Sequence, residues 1–370
     1  MKVLVVGNIA QSLVNFRGPL LGTMVERGHE VVAVSPENDP RYAQALAELG
    51  VRYRTVPLQR ASFNPVADLR FMWALRRLMA EERPDVFLGY TIKPVIYGNL
   101  AARLAGVPSR NALITGLGYA FGDSTPKQRV VGRVIHVLYR LALAGTHTVF
   151  FQNPDDRAEF LGRGFVDEER AALVSGSGVD LERFPPSDPP PPPPVFLLIA
   201  RLIREKGIHQ FVEAARILKK AYPDARFQLL GPLDSNPTAI ARSEVNEWEK
   251  EGLVEYLGET DDVRPYLEAA SVFVLPSYYR EGTPRTALEA LATGRPVVTT
   301  DAPGCRETVD HGVNGFLVEP RHVTSLAAAM ERFLEDPSLV ESMGRASLEL
   351  ARNRYDVDKV NAQMLERLGL

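Results

Sequence analysis

The chain of 370 residues has one cysteine, Cys305, so an internal disulfide framework is excluded and the composition fits the cytosol. No apolar run reaches the ~18 residues that a membrane-spanning helix needs. The opening Met1-Lys-Val-Leu-Val-Val-Gly7 lacks the small-residue cleavage site of a signal peptide and reads as a strand. The six histidines are scattered, with none between His29 and His136. Asp356-Val-Asp358 opens a helix near the end, where capping accounts for it, so metal-independent chemistry with no cofactor is expected. The first strand runs into Gly7-Asn8-Ile9-Ala10 instead of the Gly-x-Gly-x-x-Gly turn of dinucleotide enzymes, which counts against an oxidoreductase. A net charge of −3 gives no footprint for nucleic acid, and none is expected as a partner.

What is present is a repeated alternation. Short runs rich in Val, Leu and Phe, such as Lys2–Val6, Glu30–Ser35, Arg52–Leu58 and Asp85–Tyr90, alternate with amphipathic segments such as Gly18–Arg27, Arg41–Leu49 and Asp68–Glu81. That order predicts a doubly wound parallel α/β sheet. The length suits two domains. Pro185, Pro186 and Pro189 through Pro194 form a stiff extended segment, read as the linker between residues 1–184 and a second domain, 195–354. The second half repeats the pattern, with strands predicted at Val195–Ala200, Arg226–Leu230, Val254–Leu257, Ser271–Leu275, Pro296–Thr300 and Phe316–Val318.

The most informative stretch is Ser277-Tyr-Tyr-Arg-Glu281-Gly-Thr-Pro-Arg-Thr-Ala-Leu-Glu289-Ala-Leu-Ala-Thr-Gly294, which follows one of those strands. Pro284 suits a first helical residue and Gly294 a helix stop. Glu281 therefore lies in a loop at a strand's carboxyl end, where open α/β sheets bind ligands, and Glu289 leans back over Arg285 and Thr286. The N–H groups of the helix start near Gly282, Thr283, Arg285 and Thr286 suit a phosphate. An anion cradle beside two carboxylates fits a nucleotide sugar. Taken singly, Glu281 also reads as a helix cap and Glu289 as a solvated surface acid.

The whole run, Glu281-Gly282 to Glu289-Ala290 and then Gly294-Arg-Pro-Val-Val298, resembles the Glu-x7-Glu signature of the retaining glycosyltransferases of family 4. The resemblance implies a GT-B fold, two Rossmann-like domains facing across a cleft, with residues 355–370 crossing back onto the first. It implies that Glu289 accepts hydrogen bonds from ribose hydroxyls and Glu281 from the transferred sugar. Arg201 and Lys206, in Ala200-Arg201-Leu-Ile-Arg-Glu-Lys206-Gly207, resemble the family's diphosphate-binding pair, and Tyr256-Leu257-Gly258 the segment flanking the base. Ser175-Gly-Ser177-Gly178-Val179-Asp180 resembles its interdomain turn. In the first half, Gly7, Asn8, Asn15, Arg17, Lys93, Gly116 and Gly118 are the candidates for the phosphate or acceptor loops, although Asn15 alone reads as a cap and Arg17 as a solvated charge. Gly116-Leu-Gly118 most resembles the branch that transfers N-acetylhexosamines to polyprenyl-diphosphate-linked sugars.

Charge divides unevenly: residues 1–184 carry 22 Lys and Arg against 18 Asp and Glu, and residues 185–370 carry 21 against 28. Arg129, Arg133, His136 and Arg140 recur at helical spacing beside Val130, Val134, Val137 and Leu141. Such a helix either lies on anionic lipid, each basic residue contributing about 1 kcal/mol, or packs on a core with a solvated basic side. The expectation is a cytoplasmic, metal-independent transferase, peripheral on the membrane, moving a sugar from a UDP-sugar to a lipid-linked saccharide. A GDP-mannose donor, a soluble acceptor, a nucleotide-sugar epimerase and a non-catalytic nucleotide-sugar binder stay open.

Overall fold

The computed structural model describes residues 1–59, 64–118, 126–234 and 236–370, apart from the side chains of 126–131. They form two compact units, Met1–Ser177 with Val357–Leu370, and Gly178–Asp356.

The first unit has seven parallel strands: β1 (Lys2–Val6), β2 (Glu30–Ser35), β3 (Arg52–Thr55), β4 (Val86–Tyr90), β5 (Ser109–Ile114), β6 (Thr148–Phe151) and β7 (Ala171–Leu173). Their order is β3-β2-β1-β4-β5-β6-β7, so the sheet reverses direction between β1 and β4. Its helices are α1 (Ala10–Asn15), α2 (Gly18–Glu26), α3 (Pro40–Glu48), α4 (Pro65–Glu82), α5 (Asn99–Ala105), α6 (Pro126–Leu143) and α7 (Pro154–Gly162). The strand expected to reach Leu58 stops at Thr55, and Val56 makes the last backbone bond, to Ser35 O at 3.1 Å, before Pro57, which has no N–H to donate. α4 starts earlier than the apolar pattern suggests, because the Asn64 side chain accepts from the Val66 and Ala67 N–H groups and Pro65 fills the first position. A short α1 precedes the helix expected near Arg17, and Glu37 satisfies its first N–H, that of Ala10, at 2.6 Å.

The second unit repeats the plan with β8 (Val195–Ile199), β9 (Arg226–Leu230), β10 (Glu255–Tyr256), β11 (Val272–Leu275), β12 (Val297–Thr300) and β13 (Gly315–Val318), in the order β10-β9-β8-β11-β12-β13. Around it lie α8 (Ile208–Leu218), α9 (Arg242–Lys250), α10 (Arg264–Glu268), α11 (Arg285–Ala292), α12 (Val323–Glu335) and α13 (Ser338–Leu350). β8 and β11 are buried along their whole length, as central strands covered on both faces must be. The closing helix α14 (Val357–Leu368) belongs to the first unit, where Met364, Leu365 and Leu368 join the core of α2 and β1.

The passage between units corrects the sequence reading. It lies at Ser177–Gly178, between glycines with φ of +63° (Gly176) and +68° (Gly178), and not in the proline-rich run. That run belongs to the second unit and lies along its surface, with Pro191 to Pro193 exposed and only Pro194 buried. The Ser187 N–H donates to Thr293 O at 3.4 Å, and the fully buried Arg295 donates to Asp188 O at 3.2 Å, to the Ser187 hydroxyl, to Leu267 O at 2.9 Å and to Glu268 O at 3.3 Å. Polyproline lacks internal hydrogen bonds, and here a guanidinium pins the Ser187–Asp188 segment just before the run. Burial lowers the Arg295 pKa to about 10, which leaves it charged at neutral pH. Arg295→Ala strips four carbonyl and hydroxyl groups of their donor and opens a cavity, a loss of about 3–5 kcal/mol. Urea unfolding followed by Trp248 emission in a Trp73→Phe background checks this; a midpoint unchanged from the parent refutes it.

Candidate active site

The second sheet reverses direction between β8 and β11, so the loops that leave their carboxyl ends splay to opposite sides and open the ligand position of a doubly wound sheet. After β8 come Arg201, a single tight turn at Arg204–Lys206, and Gly207 at φ +77° leading into α8. After β11 comes the loop that ends at Pro284, which caps α11 instead of forming its first residue. The Glu205 carbonyl accepts from the Tyr278 N–H at 2.9 Å, the Tyr279 N–H at 3.2 Å and the Ser277 hydroxyl at 3.3 Å. Gly207 permits this approach, since a Cβ there would lie 2.1 Å from the Pro276 carbonyl oxygen. The two loops are stitched together.

Their side chains meet accordingly. The Lys206 ammonium pairs with Glu281 Oε1, to which the Ser277 hydroxyl also donates at 2.9 Å, and both charged side chains are nearly buried. Lys206 stands 5.8 Å from the Tyr279 ring centre. A third loop closes in from β12: Gly304, at φ +84°, sits where a Cβ would come within 2.3 Å of Gly282 O and 2.7 Å of Glu281 O. Cys305 beside it is fully buried, and burial pushes its thiol up to about 12, so it is a core residue and not a nucleophile.

Glu289 is 7% exposed, which removes the reading of a solvated surface acid. Arg285, one turn earlier, donates to its Oε1 at 2.9 Å. Burial raises the Glu289 pKa above the usual carboxylate value, with the Arg285 charge and hydrogen bond opposing that rise. The Thr286 hydroxyl donates to Ile199 O at 3.2 Å, which holds the start of α11 against the end of β8. Leu257 spends its N–H on Leu229 O at 2.8 Å. Asp262, whose field reaches Glu289, is held down to about 2 by its hydrogen bonds from Arg264. Arg201 is half-exposed and paired with Asp234 at 2.9 Å. Such a pair is worth at most about 1 kcal/mol, so a diphosphate can compete for the arginine.

The first unit gathers a different set at its own reversal point, between β1 and β4. Gly7 lies over Tyr90, where a Cβ would fall 2.2 Å from the phenol oxygen, and that oxygen bonds the Ser12 hydroxyl at 2.7 Å. Arg17 is 3% exposed and stacks over Tyr90 at 5.4 Å, so the expectation of a solvated arginine is corrected. Asn8 and Asn15 are half-buried on either side of α1, and Asn15 ends that helix instead of capping the next. Lys93 is engaged by Asp68 at 2.6 Å and Gln59 O at 2.6 Å, which ties it to the start of α4. Gly116 and Gly118, at φ +102° and +50°, flank the buried Leu117 at the end of β5. Arg133 and Arg140 are exposed on α6, whereas the Arg129 side chain lies outside the described residues.

The sequence reading missed Glu205, Ser277, Asp234 and Gly304. Only Ser277 had a local signal, its place directly after a buried strand. Among the described residues, no group of three or more His, Cys, Asp or Glu side chains is arranged to hold a metal. Gly304→Ala, which presses a methyl onto the Glu281–Gly282 backbone from a left-handed position, lowers the Trp248 unfolding midpoint and, in the folded protein below that midpoint, lowers nucleotide affinity by tenfold or more, about 1.4 kcal/mol. Titration calorimetry with UDP checks it; unchanged affinity refutes the coupling of this glycine to the loop.

The sequence description of glycosyl transferases group 1 matches residues 180–349, and that of a glycosyl transferase 4-like domain matches 18–176. The chain is 30% identical over 366 residues, covering 95% of itself and 93% of its relative, to the N,N'-diacetylbacillosaminyl-diphospho-undecaprenol alpha-1,3-N-acetylgalactosaminyltransferase of Campylobacter jejuni. It is 29% identical, over 78% of itself and 76% of the relative, to a UDP-Gal:alpha-D-GlcNAc-diphosphoundecaprenol alpha-1,3-galactosyltransferase of Escherichia coli. In fold it is similar to Anabaena HepE solved with UDP, at a TM-score of 0.77 and 19% identity over 100% of both chains. It is also similar to a sucrose-phosphate synthase from Thermosynechococcus elongatus, at 0.81 and 20% identity over 99% and 98%. Two parallel-sheet units, a lysine–glutamate pair at the reversal point of the second, and a match that spans nearly the whole chain agree: this chain is a GT-B hexosyltransferase and belongs to the group 1 glycosyltransferases.

Proposed function

We propose that the chain moves an N-acetylhexosamine from a UDP-sugar to a polyprenyl-diphosphate-linked saccharide, with retention at the transferred carbon and without a metal. The observation that carries the donor half is the preassembled Lys206–Glu281–Ser277 cluster at the end of β8 and β11, one helix away from the buried Glu289. The acceptor half rests on the two relatives named above, whose printed substrates are both undecaprenyl-diphosphate-linked.

In this reading Arg201 and Lys206 hold the diphosphate, Arg201 exchanging Asp234 for phosphate oxygens while Lys206 keeps Glu281 and turns its remaining N–H donors to the phosphate. The N–H groups around Gly282, Thr283 and Arg285 add backbone dipoles. Glu289 accepts from the ribose hydroxyls, the Leu257 segment flanks the base, and Glu281 accepts from the hexose. As the bond from the sugar carbon to the phosphate oxygen breaks, the acceptor oxygen bonds that carbon from the same face. The acceptor's proton passes to the departing phosphate oxygen, and the cations stabilise the charge that builds there. Glu281 Oε1 is engaged by Lys206 and Ser277, which suits an orienting carboxylate better than a nucleophile. A covalent sugar trapped on Glu281 refutes the mechanism. In this reading a lipid-linked acceptor puts the enzyme peripherally at the cytoplasmic leaflet, with the exposed Arg133 and Arg140 of α6 towards the lipid. No helix among the described residues is long and apolar enough to cross a membrane.

UDP binds wild type with no added metal, EDTA leaves turnover unchanged, GDP binds more weakly, and Glu289→Ala abolishes UDP binding; loss of turnover in EDTA overturns the metal-independent route. Lys206→Ala lowers kcat about 10²–10³-fold. Because the Glu289 pKa is raised, its carboxylate is protonated at higher pH than an ordinary glutamate. UDP affinity of wild type therefore falls as pH drops towards 5, whereas Glu289→Gln is weaker throughout and lacks that limb. Conversion of a UDP-N-acetylhexosamine to its epimer without an acceptor, at the full rate, favours an epimerase instead.

A further inference from the structure

The face of the first sheet covered by α4, α5 and α6 has an unusual outer surface. These helices share one side. Phe71 and Leu75 of α4 pack on Leu4, Val32 and Phe87, while Ile135 and Tyr139 of α6 pack on Ala112, Ile114 and Phe151. Tyr97 and Leu100 join both cores, so the helical layer is continuous.

Seven of the fourteen exposed large hydrophobic side chains among the described residues lie on these three helices, which makes the exposure a property of this face. On α4, Val66 (58%), Leu69 (50%) and Trp73 (53%) form a stripe at spacings of three and four, with Arg70, Arg76 and Arg77 around it. α5 adds Leu104 and Arg103, and α6 adds Val134, Val137 and Leu141 beside Arg133 and Arg140. The only exposed acid on the described parts of the three helices is Glu81, which is occupied by Arg77 at 3.2 Å. Asp68 and Glu82 are buried and paired with cations inside the unit. Arg76 lies 5.3 Å over the Trp73 ring. A tryptophan at the end of an apolar stripe rimmed by arginines is what an interface of hydrocarbon and anionic headgroups selects.

We infer that α4, α5 and α6 together form a docking face for an anionic phospholipid bilayer, with Trp73 as its interfacial anchor and α4 as its centre. Charge complementarity commits the face to this occupant: a second copy would bring arginine against arginine. The inference deepens the lipid-linked acceptor reading and rests on it only for its purpose, since the contact can be measured with neither donor nor acceptor present.

The chain has two tryptophans, and Trp248 lies in the core of the other unit, so Trp248→Phe leaves Trp73 as the sole emitter. With vesicles of equal phosphatidylglycerol and phosphatidylcholine at low salt, Trp73 emission shifts to the blue and is quenched by brominated acyl chains. Pure phosphatidylcholine produces neither change. Flotation of the unaltered chain with the same vesicles gives a second reading should Trp248→Phe fold poorly. Arg70→Gln with Arg76→Gln lowers partitioning about tenfold or more. Leu69→Ser with Trp73→Ser abolishes flotation but leaves UDP binding unchanged, which separates failure of the face from failure of the donor site. Flotation with Trp73 emission unmoved overturns the inference, as does absence of flotation at low salt. A blue shift on concentrating the protein alone, with a doubled sedimenting mass, assigns the face to a second copy and overturns it equally.

Discussion

The Lys206–Glu281 cluster depends on how closely two loop backbones approach at the centre of the second sheet. Gly207 lies against the Pro276 carbonyl at a distance no side chain could tolerate, and the Glu205 carbonyl takes three donors from the opposite loop. Because the contact is backbone to backbone, it fixes the Cα positions of Lys206 and Glu281 before any side-chain rotamer is chosen. The Lys206–Glu281 pair is then a consequence, and so is the place of Ser277 beside it. Gly304 adds a third wall of the same kind, backbone on backbone, under Glu281 and Gly282. Preorganisation here comes from glycines placed where chains cross, which holds the Lys206 and Glu281 side chains in one arrangement.

The cations of this region are each paired with a carboxylate. Arg201 faces Asp234, Lys206 faces Glu281, and Arg285 faces Glu289. Two like cations held for a diphosphate would repel each other in its absence, and a carboxylate beside each removes that cost. The pairs are unequal. Arg201–Asp234 is open to water and easily exchanged, whereas Lys206–Glu281 is nearly enclosed and sets geometry. For the proposed diphosphate, only the open Arg201–Asp234 pair would need to exchange, so selectivity would come from shape and hydrogen bonding more than from net attraction.

Both sheets were legible in the sequence because their central strands are buried on both faces and read as unbroken Val, Leu and Phe runs, with Gly and Pro at the turns. The Glu281 to Glu289 spacing carried the site, since strand, loop and helix were each marked by their own residues. What stayed illegible were buried charges. Arg295 turns the proline run from a linker into a pinned strap, and Arg17 stacks on Tyr90 inside the first unit. Nothing in local pattern separates a buried arginine from a solvated one, because the groups that satisfy it are distant in sequence. The Asn64-Pro65 start of α4 was readable as a cap and first helical residue, but the apolar period begins later and pulled the boundary inward. The pairing of Glu205 with the Tyr278–Tyr279 backbone had no sequence signal at all, since a carbonyl is common to every residue.

Glu289 shows what a ligand site costs the fold that holds it. Its folded pKa is raised, so the stability linked to this group is greatest below the ordinary glutamate pKa and is lost as pH rises through the raised value. At neutral pH the ionised carboxylate is therefore a net burden, and Arg285 offsets only part of it, because burial is the larger effect. A leucine of similar volume would serve the core of α11 better, and it would accept nothing. The burden is relieved when hydroxyl donors reach the carboxylate, since they supply the hydrogen bonds that burial took from it. A ligand that brought hydroxyl donors to this carboxylate, as proposed, would therefore draw part of its binding energy from relief of that burial.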